Sequence, residues 1–548
     1  MSSPLLDIQN LFVGLPAGAD RDYAVEDLSL SIAKGEILCI VGETGSGKSL
    51  TAMATMGLLP PNLPRARGQV LFEGADLLKL PASVRRKMAG SRLAMIFQEP
   101  IAALNPIYRV GEQVSETFRL HTTLSAADIR KRVIELFREV RLPDPDEIYR
   151  AYPHQLSGGQ CQRVMIASAL ALDPSLLIAD EPTTALDVTT QAQILKLMLD
   201  LRERHGTGIL FITHDFGVVA EIADRVAVMR HGKLVEIGPA KDVLANPQAD
   251  YTKTLLAAVP KLEPRHARPG LGETVLSATG ITKLFSTRSI LGANREVRAV
   301  DHVDLSIRRG ETVGLVGESG SGKTTLAQCV IRLVEPDSGD LTISGGTFSN
   351  LSGAALRAAR RRVQIVFQDP YTALDPRQTA GSAIAEGPII HGLSRKEAHQ
   401  RALDLLEAVG LDRSSADRFP HEFSGGQRQR VCIARALAVE PELLIADESV
   451  SALDVSVQAQ ILDLLAAMQE RLKFGMLFIT HDLRVASRIC DRIAVMRQGK
   501  IVEQAEPADL FANQREAYTH ELLAAVPGRD WQGTAKTPQA PGRQGNTS

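Results

Sequence analysis

The sequence predicts an α/β fold that is built twice in one chain. Apolar runs such as EILCIV at 36–41 and SLLIAD at 175–180 alternate with longer helical patterns such as TTQAQILKLMLDLRERHG at 189–206. Strands that are apolar throughout are typical of parallel sheets covered on both faces. Near copies of several segments recur at a fixed distance, and each copy contains a glycine-rich turn between a strand and a helix.

The repeat sets the expected domain organisation. LLIADEPTTALDV at 176–188 returns as LLIADESVSALDV at 443–455, and LFITHD and YT–LLAAVP segments return with the same offset of 267 residues. We therefore predict a first domain at 1–260 and a second at 274–527. The segment 261–273 is rich in proline, glycine and charge and is expected to be an exposed linker. We expect residues 528–548 to be a disordered tail.

Composition excludes several classes of function. The 548 residues include 44% hydrophobic and 23% charged residues, and 62 basic against 64 acidic residues leave a net charge of -2. This balance gives no electrostatic signature of nucleic-acid binding, so we predict no nucleic-acid partner. Five scattered cysteines without a CxxC pair indicate a reduced protein without disulfides or zinc. No apolar run approaches the roughly 18 residues that span a bilayer, so any membrane association is expected to be peripheral.

The two glycine-rich turns predict phosphate binding. GETGSGKS and GESGSGKT both fit the pattern GxxxxGK[ST], in which successive amide groups and a helix N-terminus converge on phosphate oxygens. We expect Lys48 and Lys323 to reach the β and γ phosphates and Ser49 and Thr324 to bind Mg²⁺. The predicted nucleotide-binding residues are Gly42, Glu43, Thr44, Gly45, Ser46, Gly47, Lys48 and Ser49, and Gly317, Glu318, Ser319, Gly320, Ser321, Gly322, Lys323 and Thr324.

Paired acidic residues follow the strand LLIAD in each half. Asp180 and Asp447 end the strand, where a carboxylate is expected to hold hydrated magnesium. Glu181 and Glu448 come next and are predicted to position and deprotonate an attacking water. A tandem Asp-Glu pair alone is more often a solvated strand end, but the glycine-rich turn in the same half favours a catalytic role.

Two further polar residues repeat beside each phosphate site. Gln98 and Gln368 follow an apolar strand, and His214 and His481 end LFITHD. A lone histidine after a strand is more often structural, but repetition beside a phosphate site favours function. We predict that all four contact the transferring γ-phosphoryl group and its water, and that the glutamines are also magnesium ligands.

LSGGQ at 156–160 and FSGGQ at 423–427 complete an ordered motif set that resembles ABC-type ATPases. The glycine-rich turn, glutamine, LSGGQ signature, Asp-Glu pair, [ST]ALD segment (184–187 and 451–454) and histidine occur in that order twice. The resemblance covers nearly the whole chain, and its departures are FSGGQ, ESV (448–450, against EPT) and Cys161, which stands where the second half has Arg428. It implies two tandem P-loop NTPase domains, each with a RecA-like core and a helical subdomain.

The resemblance also implies where ATP binds. Two ATP molecules lie between head-to-tail halves, so the glycine-rich turn of one half faces the signature of the other. A flexible linker makes closure intramolecular, and the single chain acts as its own ATPase dimer. Site one then combines Lys48 with the second signature, and site two combines Lys323 with the first. The implied signature contacts are Ser157, Gly158, Gly159, Gln160, Ser424, Gly425, Gly426 and Gln427.

The segments after the two glutamines, 99–113 and 369–383, resemble those of the peptide and nickel importer group, as do the YT–LLAAVP ends. This resemblance implies an ATP-hydrolysing subunit of a bacterial importer of peptides or related solutes. Its implied partners are two transmembrane permease subunits and, indirectly, an extracytoplasmic substrate-binding protein. The implied location is the cytoplasmic face of the inner membrane.

The alternative functions are associated with sequence features that differ from those of this chain. Soluble tandem ATPases acting on ribosomes generally have a long charged linker and lack the histidine, whereas here the linker is short and both histidines are present. DNA-repair relatives need CxxC insertions. Fused sugar-importer ATPases often have one degraded site, whereas Glu181 and Glu448 are both present. The cargo stays open, because the ATPase does not touch it. The adenine contacts also stay open, with Tyr23 and Val297 near the expected places.

Overall fold

The structure is a computed structural model that describes residues 3–16, 18–64, 66–183, 186–265, 268, 270–287, 295–451, 453–529 and 531. The predicted tail lies outside the described residues except for 528, 529 and 531. Three residues of the two [ST]ALD segments, Thr184, Ala185 and Ala452, also lie outside them, as do 266, 267 and 269 of the predicted linker.

The first half contains a six-stranded sheet and a four-stranded antiparallel sheet. The strand orders are β10-β9-β3-β8-β7-β6 and β2-β1-β4-β5. The strands are β1 (Leu6–Gly14), β2 (Tyr23–Ile32), β3 (Ile37–Val41), β4 (Arg67–Phe72), β5 (Ala75–Asp76), β6 (Leu93–Ile96), β7 (Leu176–Asp180), β8 (Gly208–Ile212), β9 (Arg225–Arg230) and β10 (Lys233–Pro239). The helices are α1 (Lys48–Met56), α2 (Ala82–Met88), α3 (Pro100–Ala103), α4 (Val110–His121), α5 (Ala126–Glu139), α6 (Pro145–Arg150), α7 (Gly158–Leu170), α8 (Val188–His205), α9 (Phe216–Ile222), α10 (Ala240–Ala245) and α11 (Asp250–Ala258), with a 3-10 turn at Pro153–Gln155.

The second half repeats both sheets in the same spatial order, β16-β17-β18-β13-β19-β20 and β12-β11-β14-β15. Its strands are β11 (Thr274–Thr287), β12 (Arg295–Arg308), β13 (Thr312–Val316), β14 (Ser338–Ile343), β15 (Gly346–Thr347), β16 (Val363–Val366), β17 (Leu443–Asp447), β18 (Gly475–Ile479), β19 (Arg492–Arg497) and β20 (Lys500–Ala505). Its helices are α12 (Lys323–Val330), α13 (Gly353–Ala359), α14 (Pro370–Ala373), α15 (Ala380–Ile390), α16 (Arg395–Ala408), α17 (Gly425–Leu437), α18 (Val455–Leu472), α19 (Leu483–Ile489), α20 (Pro507–Ala512) and α21 (Ala517–Ala524), with 3-10 turns at Arg360–Arg362, Arg413–Asp417 and Pro420–Glu422. The predicted duplication and α/β class are confirmed.

The six-stranded sheets are parallel apart from one edge strand. In the first half β3 pairs in parallel with β8 and β9, β7 lies between β8 and β6, and β10 pairs antiparallel with β9. Every residue of β3, β7 and β8 is buried, as the continuous apolar runs predict. The carboxyl ends of parallel strands meet at one edge, and this edge presents the predicted site residues.

A helical region is inserted between the second and third strands of each parallel core, counted along the chain. In the first half α3 to α7 lie between β6 and β7 in the chain, and Val114, Phe118 and Phe137 pack in the same hydrophobic cluster as the sheet. The signature opens α7, where Ser157 caps the helix by accepting from the amide of Gln160. The signature is therefore presented at a helix N-terminus.

Each half packs one valine side chain, from the start of α8 or α18, into the hydrophobic core of the other half. Val188 of the first half packs in the second half's hydrophobic cluster, and Val455 of the second half packs in the first half's cluster. Trp531 also packs against the first half, although it follows the second. The halves are thus joined by core contacts as well as by the chain. The domain boundaries at 260 and 274 stay a prediction.

All five cysteines are free and buried. Among the described residues, no helix combines the length and the apolar character that crossing a membrane demands.

Because the core is duplicated, equivalent substitutions in the two halves should lower the free energy of unfolding by similar amounts. Phe211 and Phe478 occupy equivalent places in β8 and β18, and both are fully buried. Replacing either with alanine should lower the free energy of unfolding by about 3–5 kcal/mol, because a large cavity is left in a packed sheet. Chemical denaturation measures the change. Leu120→Ala, at a side chain that is 71% exposed, is the control and should shift stability by less than about 0.5 kcal/mol.

Candidate functional site

Each glycine-rich turn forms a tight cradle between a parallel strand and a helix. Gly42 has φ 151° and Gly47 has φ 100°, which are regions that favour glycine. A Cβ atom on Gly42 would lie 2.2 Å from the carbonyl oxygen of Met229, and one on Gly47 would lie 2.5 Å from that of Ala24. The second turn repeats both close approaches, so only glycine fits at these positions.

The lysine of each glycine-rich turn, Lys48 in the first half and Lys323 in the second, folds back over its own turn. Lys48 Nζ donates to the carbonyl oxygens of Gly42 at 2.7 Å and Glu43 at 3.0 Å, and Lys323 Nζ makes the equivalent bonds at 2.8 Å each. Burial lowers the pKa of both lysines, and the surrounding carboxylates oppose this effect. Each ammonium is therefore held at the cradle, where a phosphate charge would stabilise it.

Two buried hydroxyl groups in the cradles fit a phosphate ligand. Ser46 and Ser321 are 3% and 5% exposed, and in the described part of the chain neither Oγ has a hydrogen-bond partner. A buried hydroxyl without a partner is costly. Each turn thus presents a lysine and a hydroxyl without a hydrogen-bond partner, which are donors suited to phosphate oxygens.

The hydroxyl and carboxylate predicted to hold magnesium lie together in both halves. Ser49 Oγ donates to Asp180 Oδ1 at 3.0 Å, and Thr324 Oγ1 donates to Asp447 Oδ1 at 3.3 Å. Burial, together with the adjacent glutamate, raises the pKa of each aspartate to about 6. A nearby cation would oppose this shift, and hard oxygen donors suit Mg²⁺.

The protein alone does not complete a metal site. No group of three or more His, Cys, Asp or Glu side chains among the described residues is arranged to hold an ion. A hydroxyl and one carboxylate match the way Mg²⁺ binds together with phosphate oxygens and water. The residues present therefore fit magnesium that arrives with a nucleotide.

The predicted catalytic glutamate, glutamine and histidine converge in both halves. Gln98 Nε2 donates to Glu181 Oε2 at 3.2 Å, and His214 Nδ1 lies 3.5 Å from the same oxygen. In the second half Gln368 and His481 lie 2.8 and 3.6 Å from Glu448 Oε2. Sequence reasoning placed these residues at one site, and the structure brings them together.

The two glutamates have an unusual backbone conformation. Glu181 has φ 47° and Glu448 has φ 44°, in the left-handed region that non-glycine residues rarely adopt. Each amide still donates to the neighbouring strand, at Ile212 and Ile479. Both halves keep this conformation at the glutamate that follows the strand.

Electrostatic coupling links each glutamate to its histidine. Burial lowers the pKa of His481, but the carboxylate of Glu448 outweighs it and the net shift is upward. Burial likewise raises the pKa of Glu448, and His481 with Lys323 reverses that shift. The glutamate is thus held ionised, which is the form that accepts a proton from water.

A cavity of about 1090 Å³ joins the second glycine-rich turn to the first signature. It is lined by Lys323, Gln368, Glu448 and His481 of the second half and by Gly158 and Gly159 of the first. Val297, which is 48% exposed, lines the same cavity. Residues of the two halves therefore line one partly open cavity that is large enough for a nucleotide.

The first glycine-rich turn also meets the other half. The amide of Thr44 donates to Asp454 Oδ1 at 2.9 Å, and Ser456 Oγ donates to Glu43 Oε1 at 2.6 Å. Thr189 Oγ1 makes the equivalent contact with Glu318 Oε1 at 2.7 Å.

The pairing of the second signature, Ser424 to Gln427, with Lys48 stays a prediction. Tyr23 packs edge to face against Phe12, and the adenine contacts stay open.

Sequence reasoning missed the role of two tyrosines in the YT–LLAAVP segments. The Tyr251 hydroxyl accepts from the amide of Glu43 at 3.4 Å, and the Tyr518 hydroxyl accepts from that of Glu318 at 3.1 Å. Arg230 and Arg497 stack on the two rings at 4.7 and 4.6 Å. The exact repetition of the YT pair was the available signal. Each tyrosine fixes the start of a glycine-rich turn.

Comparisons with known proteins agree with this geometry. The sequence family described as ABC transporter matches residues 25–184 and again 300–451. The family described as Oligopeptide/dipeptide transporter, C-terminal region, matches residues 235–288.

Two curated proteins are similar along almost their whole length. The chain is 46% identical to the Peptidoglycan transport ATP-binding protein YejF of Agrobacterium fabrum over 530 residues, which cover 96% of this chain and 97% of that protein. It is 45% identical to the Glutathione import ATP-binding protein GsiA of Pectobacterium atrosepticum over 564 residues, which cover 96% of this chain and 90% of that protein.

The tyrosine contacts predict a specific effect on nucleotide affinity. Tyr518→Phe removes the acceptor of the Glu318 amide and leaves the ring in place. Losing one such bond costs about 1 kcal/mol, so ATP affinity should fall by about fivefold without loss of fold. Titration with a fluorescent ATP analogue measures this change. Tyr152→Phe, at a ring that faces His154, is the control, and equal affinities for both variants would contradict the assigned role.

Proposed function

Since the chain belongs to the ABC transporter family and is an ATPase, we propose that it drives a bacterial importer through two ATP sites shared between its halves. Each hydrolysis site uses the glycine-rich turn of one half and the signature of the other. The solute is a peptide or a related small molecule that passes through separate permease subunits. The domain boundaries 1–260 and 274–527 are part of this proposal.

The observation that supports the shared sites most directly is the cavity between the halves. Gly158 and Gly159 open α7 and line the space that also contains Lys323 and Glu448. The N-terminus of α7 favours negative charge, so it suits the γ phosphate of a nucleotide held by the opposite turn. Binding a nucleotide there stabilises the closed arrangement of the two halves.

The side chains of site two have separable tasks in hydrolysis. Lys323 and the turn amides hold the phosphates, and Thr324, Asp447 and Gln368 would supply the protein ligands of a magnesium ion. Magnesium, when bound, neutralises charge on the phosphate oxygens. Glu448 accepts a proton from the attacking water, while Gln368 and His481 fix the direction of its carboxylate. Site one repeats these roles with Lys48, Ser49, Asp180, Glu181, Gln98 and His214.

The segments after the catalytic glutamines form the proposed permease contacts. Ile101, Ile107 and Tyr108 are 66%, 73% and 57% exposed, which is unusual for neighbouring apolar side chains. They lie on and just after α3, which packs against the signature helix α7. A movement at the signature is therefore passed to the surface that faces a permease.

The equivalent surface of the second half differs. Tyr371 is 65% exposed, but Arg377 and Gln378 stand where the first half has Ile107 and Tyr108. One surface is apolar and the other is partly charged. The two halves therefore fit two different permease subunits, and the chain lies at the cytoplasmic face of the inner membrane through these contacts.

The proposed cargo class is supported by the relatives. Their names assign peptidoglycan transport and glutathione import, and the match at residues 235–288 is to an oligopeptide and dipeptide transporter region. Glutathione and peptidoglycan fragments share peptide bonds and small size. Cargo selection is assigned to a separate extracytoplasmic binding protein.

The importer assignment is tested by isolating the full chain from native membranes and identifying the proteins that accompany it by mass spectrometry. We expect two multi-spanning permeases in near-equal amounts. Recovery of ribosomal proteins without permeases would overturn the transport function and leave the ATPase assignment intact.

Removing the proposed bases should separate binding from hydrolysis. The double variant Glu181→Gln and Glu448→Gln should bind ATP and remain closed, while its turnover should fall by at least about 10²-fold because no carboxylate accepts the water proton. Phosphate release and size-exclusion chromatography with ATP measure the two properties. Normal turnover would refute the assigned base role.

The apolar permease contact predicts a selective loss of assembly. Ile107→Glu should abolish recovery of one permease, because it buries a charge in an apolar contact, and should leave ATP binding unchanged. Val84→Glu is the matched control at a partly exposed site on α2. If both variants recover the permeases equally, Ile107 does not belong to the docking surface.

A further inference from the structure

A single buried arginine lies between the two halves beside both catalytic histidines. Arg484 is the second residue of α19 and is 7% exposed. Its Nη1 and Nη2 donate to Asp215 Oδ1 and Oδ2 of the first half at 3.0 and 2.8 Å. Its Nε and Nη2 donate to Asp482 of its own half at 3.1 and 2.9 Å.

The two aspartates are equivalent positions of the duplication. Asp215 directly follows His214, and Asp482 directly follows His481. Each aspartate caps the helix that it precedes, through the amides of Gly217 and Arg484. Arg484 Nη2 therefore bonds to both members of a repeated pair, and the guanidinium joins the two halves.

The arginine itself is not repeated. The equivalent residue in the first half is Gly217, and a Cβ there would lie 2.5 Å from Arg484 Nη1 and 2.5 Å from the carbonyl oxygen of Pro527. One half thus supplies the guanidinium and the other supplies the space for it. Two identical subunits cannot make this arrangement, because both would have arginine or both would have glycine at this position.

The positive charge of Arg484 stabilises the ionised carboxylates of both Asp215 and Asp482. Burial raises the pKa of Asp215, but the charge and hydrogen bonds of Arg484 outweigh it and the net shift is downward. Burial lowers the pKa of Arg484, and the two aspartates reverse this shift. Without the guanidinium, two carboxylates would face each other across a buried interface and repel.

We propose that Arg484 is a positioning residue that clamps the two histidine turns, 213–215 and 480–482, together and thereby couples ATP binding at the two sites. The inference rests on the proposed function, since it concerns how the two shared sites communicate.

Hydrogen bonds within each histidine turn fix its shape, so that a movement of one turn is passed through Arg484 to the other turn. The amide of Asp215 donates to Thr213 Oγ1 at 3.0 Å, and that of Asp482 donates to Thr480 Oγ1 at 3.1 Å. His214 and His481 lie within these turns and face Glu181 and Glu448. Filling one site shifts its histidine turn, and the planar guanidinium passes the shift to the other turn. A lysine cannot make the same paired contacts.

The test is a titration of the full chain with a fluorescent ATP analogue, which reports binding without hydrolysis. We expect a Hill coefficient above 1 for the unmodified chain. Arg484→Gln should bind two analogues with a Hill coefficient near 1 and about tenfold weaker affinity, within the usual range of coupling between sites. Arg484→Lys should recover little of the cooperativity.

The matched control is Arg488→Gln. Arg488 lies on the same helix and pairs with Asp463 within its own half at 2.7 Å. Its loss removes the same charge without touching the other half, so cooperativity should be unchanged. A thermal unfolding midpoint confirms that each variant is folded.

A second variant tests the clamp from the first half. Asp215→Asn weakens the contact with Arg484 but keeps the helix cap, because asparagine caps as well as aspartate. It should also remove cooperativity, and combining it with Arg484→Gln should add little. Retained cooperativity in folded Arg484→Gln or in Asp215→Asn would overturn the proposal, as would a Hill coefficient of 1 for the unmodified chain that binds two analogues. No binding by the unmodified chain would instead overturn the proposed ATP sites.

Discussion

The contact between each glycine-rich turn and the other half is the constraint on which the rest of the structure depends. Thr44 meets Asp454, and Glu318 meets Thr189, at the two ends of the interface. Val455 and Val188, which begin the long helices beside these contacts, are buried in the opposite cores. Moving the halves apart would break these contacts at both glycine-rich turns and expose apolar surface at the same time, so the proposed shared sites tie nucleotide binding to closure.

Duplication gives the chain freedom that two identical subunits lack. The shared machinery is kept in both halves, since Gln98, Glu181 and His214 have equivalents with similar distances. Residues of the interface and of the exposed surface have diverged in places. Arg484 has no counterpart, and the exposed surface at Ile107 is charged in the other half. A fused chain thus keeps two equivalent glycine-rich turns while its two halves present different surfaces, which suits the two different permease subunits proposed above.

Much of this arrangement follows from the sequence, because strand ends and glycine-rich turns are local signals. The apolar run ILCIV predicts a buried strand, and GxxxxGK[ST] predicts the cradle that follows it. Contacts across the interface are not local. Nothing in the order of residues says that Arg484 meets Asp215, or that the Tyr251 hydroxyl reaches the amide of Glu43. Aligning the two halves shows that Tyr251 is repeated and that Arg484 is not. The contacts that these residues make are seen only in the folded chain.

The shared sites are tested most directly in a chain whose first site is disabled by Lys48→Ala. The remaining nucleotide then binds at Lys323, and two matched serine variants ask which signature serves it. Our account predicts that Ser157→Ala weakens binding of a fluorescent ATP analogue in this background and that Ser424→Ala leaves it unchanged. The reverse result, with Ser424→Ala weakening binding and Ser157→Ala having no effect, would show that each half completes its own site and would contradict the account.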